Sequence, residues 1–206
     1  MEAILFNQTG VESGKIKLNE VIFGKEANDG LVHRLLMLQR SNARNPIAHT
    51  KTRWERRWST RKIYKQKWTW HARAWGARSP LRKKGWVAFG PRSNRNFTIM
   101  MNKKERRLAL LTLLSNKARN NQVKVVESIV IDDSKTKDME KIVANMQIIT
   151  ALFAMLPNDR NLFLATRNLK NVKPIGVNYL NPADLLKFKD LVFTKESLEF
   201  LVQFYS

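Results

Sequence analysis

The sequence has no cysteine, which excludes disulfides and thiolate metal sites and makes a cytoplasmic setting the expectation. It has no apolar run near the roughly 20 residues that cross a bilayer, and its basic stretch lacks the periodicity of an amphipathic surface helix. A membrane is therefore not the expected partner. The opening Met1-Glu2-Ala3-Ile4-Leu5-Phe6 carries an acid and a very short apolar run, where a secretory leader needs a basic region and a longer one. Acid is scarcest between Arg44 and Arg95, where Glu55 is the single carboxylate in 52 residues. Tryptophan is missing from all of the chain outside residues 54 to 86.

What the chain has instead is positive charge. It carries 38 Lys and Arg against 17 Asp and Glu, a net charge of +21, with a pI near 10.6. The window from Arg44 to Arg95 holds 16 of the cations and accounts for +15 of the total. Its apolar residues, among them Ile63, Tyr64, Leu81, Val87 and Phe89, keep neither a 3.6-residue nor a two-residue period, so they define no core face. Self-repulsion keeps such a segment extended in isolation, and it gains order when phosphates neutralise it and bases stack on its rings. Lys and Arg then supply affinity and a steep salt dependence without reading sequence. Arg78-Ser79-Pro80, Gly85 and Gly90-Pro91 mark bends within it.

The flanking segments read as one α/β domain, residues 1–43 and 96–206, with 44–95 inserted as an extended RNA-penetrating loop. Ala3 to Phe6 and Lys15 to Leu18 are short strands expected at the edge of the domain. Asn28 or Asp29 caps a helix to about Ala43, with Leu31, Val32, Leu35, Leu36 and Leu38 on one side. Asn102 to about Ala118 is a second helix, with a stripe of Leu108, Leu110, Leu111, Leu113 and Leu114. From Val123 onward strands and helices alternate: strands at Val123–Val126, Ser128–Ile131, Ala151–Leu156, Ile175–Tyr179 and Leu191–Phe193. The intervening helices start near Ser134 or Lys135, after Asp159, at Pro182 and after Thr194. Such alternation predicts a mainly parallel sheet flanked by helices, with the long basic loop inserted between two of them.

Chemistry of other kinds is thin. Gly10-Val11-Glu12-Ser13-Gly14-Lys15 has three residues between its glycines and Ile16 after the lysine, where a phosphate-binding loop needs four and a Ser or Thr; it reads as a turn. His33, His49 and His71 have no carboxylate cluster to complete a metal site. Asp132-Asp133 follows a strand and is the one constellation that would suit a metal-dependent nuclease; adjacent strand residues face opposite ways, so a turn and helix cap is the better reading. No catalytic residue, metal or cofactor is expected. The first turn of the second helix, with Lys103, Lys104, Arg106 and Arg107, runs against the helix dipole, which suits an outside anion.

Many short motifs, in order, carry a resemblance over essentially the whole chain. They are Lys51-Thr52-Arg53, Gln66-Lys67, Ala72-Arg73, Arg78-Ser79-Pro80, Val87 with Phe89-Gly90-Pro91, Asn102-Lys103-Lys104, Val125-Val126-Glu127, Ser134-Lys135-Thr136-Lys137, and Asn161 to Leu169. With these the chain resembles the bacterial large-subunit ribosomal protein number four. The resemblance implies a structural, non-enzymatic role: binding large-subunit ribosomal RNA, with the loop reaching the wall of the peptide exit tunnel. Implied partners are that RNA, neighbouring ribosomal proteins and the nascent chain, with no stable homo-oligomer. The RNA-binding set is Lys51, Arg53, Arg57, Arg61, Lys62, Lys65, Lys67, Arg73, Arg78, Lys83, Lys84, Arg92 and Arg95, with Lys103, Lys104, Arg106 and Arg107. Lys62 to Trp70 form the implied loop tip, with Lys62, Tyr64, Lys65, Gln66 and Lys67 at the tunnel. A repressor of its own messenger RNA outside the ribosome is the alternative.

The departure from the resemblance lies in the tryptophans. Trp54, Trp58, Trp68, Trp70, Trp75 and Trp86 stand where members of that family commonly have glycine. At face value they are stacking platforms for bases, worth about 1–3 kcal/mol each. The other reading is that the organism decodes UGA as glycine and all six are glycine in the cell.

Overall fold

The computed structural model describes residues 1–129 and 135–205, which form two compact units. The first comprises Met1–Leu38 with Met100–Ser206, the second Gln39–Ile99.

The first unit is built on six strands: β1 (Glu2–Phe6), β2 (Glu12–Lys17), β3 (Val123–Val126), β4 (Ala151–Met155), β5 (Val172–Gly176) and β6 (Asp190–Thr194). They form one sheet in the order β2-β1-β3-β6-β4-β5. Only the β1–β2 pair is antiparallel; β1–β3, β3–β6, β6–β4 and β4–β5 are parallel. The expected mainly parallel sheet flanked by helices is what forms. The helices are α1 (Glu20–Phe23), α2 (Asp29–Asn42), α3 (Lys103–Arg119), α4 (Thr136–Asn145), α5 (Arg160–Arg167), α6 (Pro182–Lys187) and α7 (Lys195–Tyr205).

Strand alternation divides the core in two, because successive side chains point to opposite faces. Val125, Leu152, Ala154, Leu191 and Phe193 join Phe23, Leu110, Leu114 and Leu201 on one face. Val126, Phe153, Met155 and Val192 join Met139, Ile142, Leu162 and Ala165 on the other. Strands buried on both faces read as continuous apolar runs, as Ala151–Met155 does.

Local chemistry sets the helix ends. Asn28 Oδ1 accepts the Leu31 N–H at 3.0 Å, opening α2. Asn181 Oδ1 accepts the Ala183 N–H at 3.0 Å, with Pro182 at the first helical position of α6, where its missing N–H costs nothing. Thr194 Oγ1 accepts the Ser197 N–H at 3.2 Å. The four-residue α1, which the hydrophobic pattern is too short to announce, is capped by Asn19. It is locked to α3 through the fully buried Ser115: the Ser115 hydroxyl lies 3.1 Å from the Ile22 carbonyl and accepts the Lys25 N–H at 3.0 Å.

Several expectations are corrected. β2, not β1, is the sheet edge; β1 is interior because it also pairs with β3. Glu127 N–H makes the last bond to Phe6 at 2.9 Å, and Ser128 and Ile129 have left the sheet. The rest of that expected strand, with Asp132, Asp133 and Ser134, lies outside the described residues. The fifth strand lies earlier than Ile175–Tyr179: Val172–Gly176 pairs with β4, and Val177–Tyr179 is a 3-10 turn. Pro174 is tolerated there because β5 is an outer strand. Asp159 precedes α5 without a side-chain cap bond. Gly10-Val11-Glu12-Ser13-Gly14-Lys15 lies on the β1–β2 hairpin, with Gly14 opposite Leu5, and has no helix after it to hold a phosphate. Gly10, at φ +82°, is the turn glycine; a Cβ there would sit 2.8 Å from Asn145 Cβ.

Candidate nucleic-acid interface

Apart from the end of α2, the second unit has no regular helix or strand. Its residues pair across the unit in nested order, so that the chain runs out and doubles back. At its base the Thr50 N–H donates to the Pro91 carbonyl at 2.9 Å and the Val87 N–H to the Lys51 carbonyl at 3.3 Å. Within the returning half the Trp86 N–H donates back to the Arg78 carbonyl at 2.9 Å. Further out the Ile63 N–H donates to the Trp75 carbonyl at 3.0 Å, beside a bridge between Lys62 and Gly76. Beyond these the Tyr64 hydroxyl donates to the Ala72 carbonyl. The return is made by residues 65 to 71, all bends or irregular backbone.

Two glycines are required by this close approach. A Cβ on Gly90 would lie 2.0 Å from Thr50 Oγ1, and one on Gly85 would lie 1.9 Å from the Ser79 carbonyl oxygen.

Three members of the predicted RNA-binding set are used to hold the unit together. Arg78 donates from Nε to the Trp58 carbonyl and from Nη1 to the Arg53 carbonyl, each at 3.1 Å. Arg92 donates from Nη1 to the Thr50 carbonyl at 3.3 Å and to both oxygens of Glu55. Lys62 Nζ donates to Gln66 Oε1 and lies 4.9 Å from the Trp75 ring centroid. All three are half-buried, which charge density along a sequence does not reveal.

Glu55 is the centre of the base. Its carboxylate accepts the Thr52 N–H at 2.8 Å and lies 3.5 Å from His49 Nε2. The Thr52 hydrogen bond, followed by that from Arg92, holds the Glu55 carboxyl down to about 2. A lone acid among many cations was the sequence signal for such a centre.

The rest of the set faces solvent: Lys51, Arg53, Arg57, Arg61, Lys65, Lys67, Arg73, Lys83, Lys84 and Arg95 are exposed. Arg53 leans over the Trp54 ring, 5.8 Å from its centroid, and Arg95 shares the Phe97 ring with Arg44. At the tip, Lys65, Gln66 and Lys67 are exposed and Tyr64 is half-buried against His71, ring centroids 5.8 Å apart. In the first unit, Lys103, Lys104, Arg106 and Arg107 are also exposed. Asn102 makes no side-chain cap bond, and Glu105, the acid in that turn, lies 3.5 Å from Arg34. Arg107 donates to the Tyr205 carbonyl and packs over its ring. Five of the suspected glycine positions, Trp54, Trp58, Trp68, Trp70 and Trp75, carry exposed side chains, and Trp86 is half-buried.

Among the described residues no group of three or more His, Asp or Glu side chains could hold a metal ion. No helix among them is long and apolar enough to cross a membrane.

Fold and surface together define an α/β protein with a separate, strongly cationic unit. The chain belongs to the Ribosomal protein L4/L1 family, whose model matches residues 16–204. It is 41% identical over 199 residues to the large ribosomal subunit protein uL4 of Dehalococcoides mccartyi, covering 96% of this chain and 94% of the relative. It is 38% identical over 202 residues to the protein of the same name from Lachnospira eligens, covering 98% of each. The corresponding Thermoanaerobacter protein is 33% identical over 202 residues, again covering 98% of each.

Proposed function

We propose that this chain is a structural constituent of the large ribosomal subunit, working in the cytoplasm without a catalytic role. It binds large-subunit ribosomal RNA, and residues 62 to 70 reach the wall of the peptide exit tunnel, beside the nascent chain. The observation that carries this reading is the division of labour in the second unit. Lys62, Arg78 and Arg92 brace its main chain, while ten other cations of the expected set stand exposed, with Glu55 the one acid among them. A surface of that kind binds by neutralising phosphates and releasing their counterions. The braces pre-order the main chain, so less conformational entropy is lost when RNA closes around it. Lys103, Lys104 and Arg106 offer a further phosphate contact at the start of α3, where main-chain N–H groups point outward.

The test is cofractionation. The protein is expected to stay with large subunits through a high-salt wash. Combined replacement of Lys65, Lys67 and Arg73 by alanine weakens its binding to large-subunit RNA and flattens the salt dependence. A chain found free of subunits under gentle lysis would overturn the reading and favour the messenger-binding repressor.

A further inference from the structure

The return of the second unit, residues 67 to 71, has a backbone unlike the rest of the chain. Trp68 has φ +67° and Trp70 has φ +54°, both left-handed, and Lys67, Thr69 and His71 between and around them are not. Left-handed φ is uncommon outside glycine, asparagine and aspartate and is a genuine outlier for a bulky side chain. Asn121 and Gln147, also left-handed, directly follow helix ends, where this conformation is usual. Lys84 and Phe89 show that single left-handed residues occur elsewhere in the unit. Two such residues separated by one occur only here among the described residues.

The side chains gain nothing that would offset this. Trp68 is 94% exposed and Trp70 102%. Among the described residues neither ring stacks on another ring or lies under a cation. Among the described residues the N–H groups of residues 67 to 71 find no acceptor. Left-handed residues alternating with right-handed ones are the backbone pattern from which anion-binding main-chain nests are built. Lys65, Lys67 and Arg73, all exposed, lie within or beside this segment in sequence. Two indoles beside such a nest would keep a phosphate away.

We propose that positions 68 and 70 are glycine in the protein the cell makes, decoded from UGA triplets, and that the bare main chain of residues 67 to 71 is a surface that takes RNA phosphate. Its choice of partner rests on the RNA-binding reading above; the residue identity does not. A codon-level cause acts on every position with that codon. It therefore extends to Trp54, Trp58, Trp75 and Trp86, which share the same 33-residue stretch while the rest of the chain has no tryptophan. At Trp58, Trp75 and Trp86 the structure uses the main chain, through the Trp58 and Trp75 carbonyls and the Trp86 N–H.

Mass spectrometry of peptides from the organism's own large subunits tests the residue identity. Glycine masses at 68 and 70 are expected; tryptophan masses there overturn it. If no peptide of this chain is found in subunits, the ribosomal reading falls, and the same peptides from whole-cell protein still decide between glycine and tryptophan. The phosphate surface is tested by reconstituting large subunits with the chain as written, with W68G/W70G, and with W68A/W70A. The glycine pair is expected to incorporate several-fold better than either of the others. An alanine pair that performs equally well would mean that only bulk matters, and would overturn the main-chain contact.

Discussion

Arg92 holds Glu55 through a single nitrogen: Nη1 lies 2.7 Å from Oε2 and 3.0 Å from Oε1 of the carboxylate. The same nitrogen reaches the Thr50 carbonyl, and Glu55 in turn holds the Thr52 N–H. One acid thus ties the outgoing and returning halves of the second unit at its base.

Acid should loosen that base. Glu55 is held at about 2, below its ordinary 4.5, by the Thr52 and Arg92 hydrogen bonds. A depressed carboxyl contributes order that is full above its ordinary value and is lost as pH falls through the folded one. Protection of the Thr52 amide, its exchange measured against the intrinsic rate at each pH, should therefore fall between about pH 4.5 and pH 2. Glu55→Gln should show the weaker protection already at neutral pH, and protection in the parent protein that stays constant across that range would refute the assignment.

Braces and contacts should separate by salt. Replacing Lys65 or Lys67 with alanine is expected to reduce the salt slope of RNA binding by about 1 each. Arg78→Lys keeps the charge but cannot donate in the guanidinium geometry to both the Arg53 and Trp58 carbonyls. It should leave the slope nearly unchanged while raising protease cleavage within residues 53 to 86. Equal slope losses in all three variants would contradict the division drawn here.

Gly85→Ala should disorder the second unit alone. The new Cβ would lie 1.9 Å from the Ser79 carbonyl oxygen, so the Arg78–Trp86 contact must open. Proteolysis in the unit should increase severalfold with an unaltered melting transition of the α/β unit. An equally protected unit would mean that the turn has room to shift.

Ser115→Ala should destabilise the α/β unit by about 1–3 kcal/mol, the cost of leaving the part-buried Lys25 N–H without its acceptor and losing the bond of the buried hydroxyl to the Leu111 or Ile22 carbonyl. At this chain length each kcal/mol lowers the melting temperature by about 2–4 °C. Thermal unfolding followed by circular dichroism measures this directly, and an unshifted midpoint would show that water replaces the hydroxyl.

The α/β alternation was legible because buried parallel strands and amphipathic helices leave different apolar periods. Val177–Tyr179 was misread as strand for a related reason: Val172-Lys173-Pro174 looks unlike a strand until its place at the sheet edge is known. The four-residue α1 left no period at all. In the second unit, charge density located the cationic surface but could not tell Arg92 from Lys67. That distinction depends on Glu55, thirty-seven residues from Arg92 in sequence and adjacent only after the chain doubles back. The left-handed backbone at Trp68 and Trp70 was likewise invisible, although confinement of every tryptophan to one segment pointed to the place.

The sheet order carries a consequence for synthesis. β1 lies between β2 and β3, with Ile4 beside Lys124. The amino-terminal hairpin can form as soon as it is made, yet one of its edges stays open until β3 emerges. The whole polycationic segment is translated in that interval, before the domain that will carry it can close. Long-range parallel pairing is slow and leaves nascent edges exposed. The growing chain thus passes through a stage with an unpaired strand and a dense positive charge together, when premature contact with RNA would compete with folding.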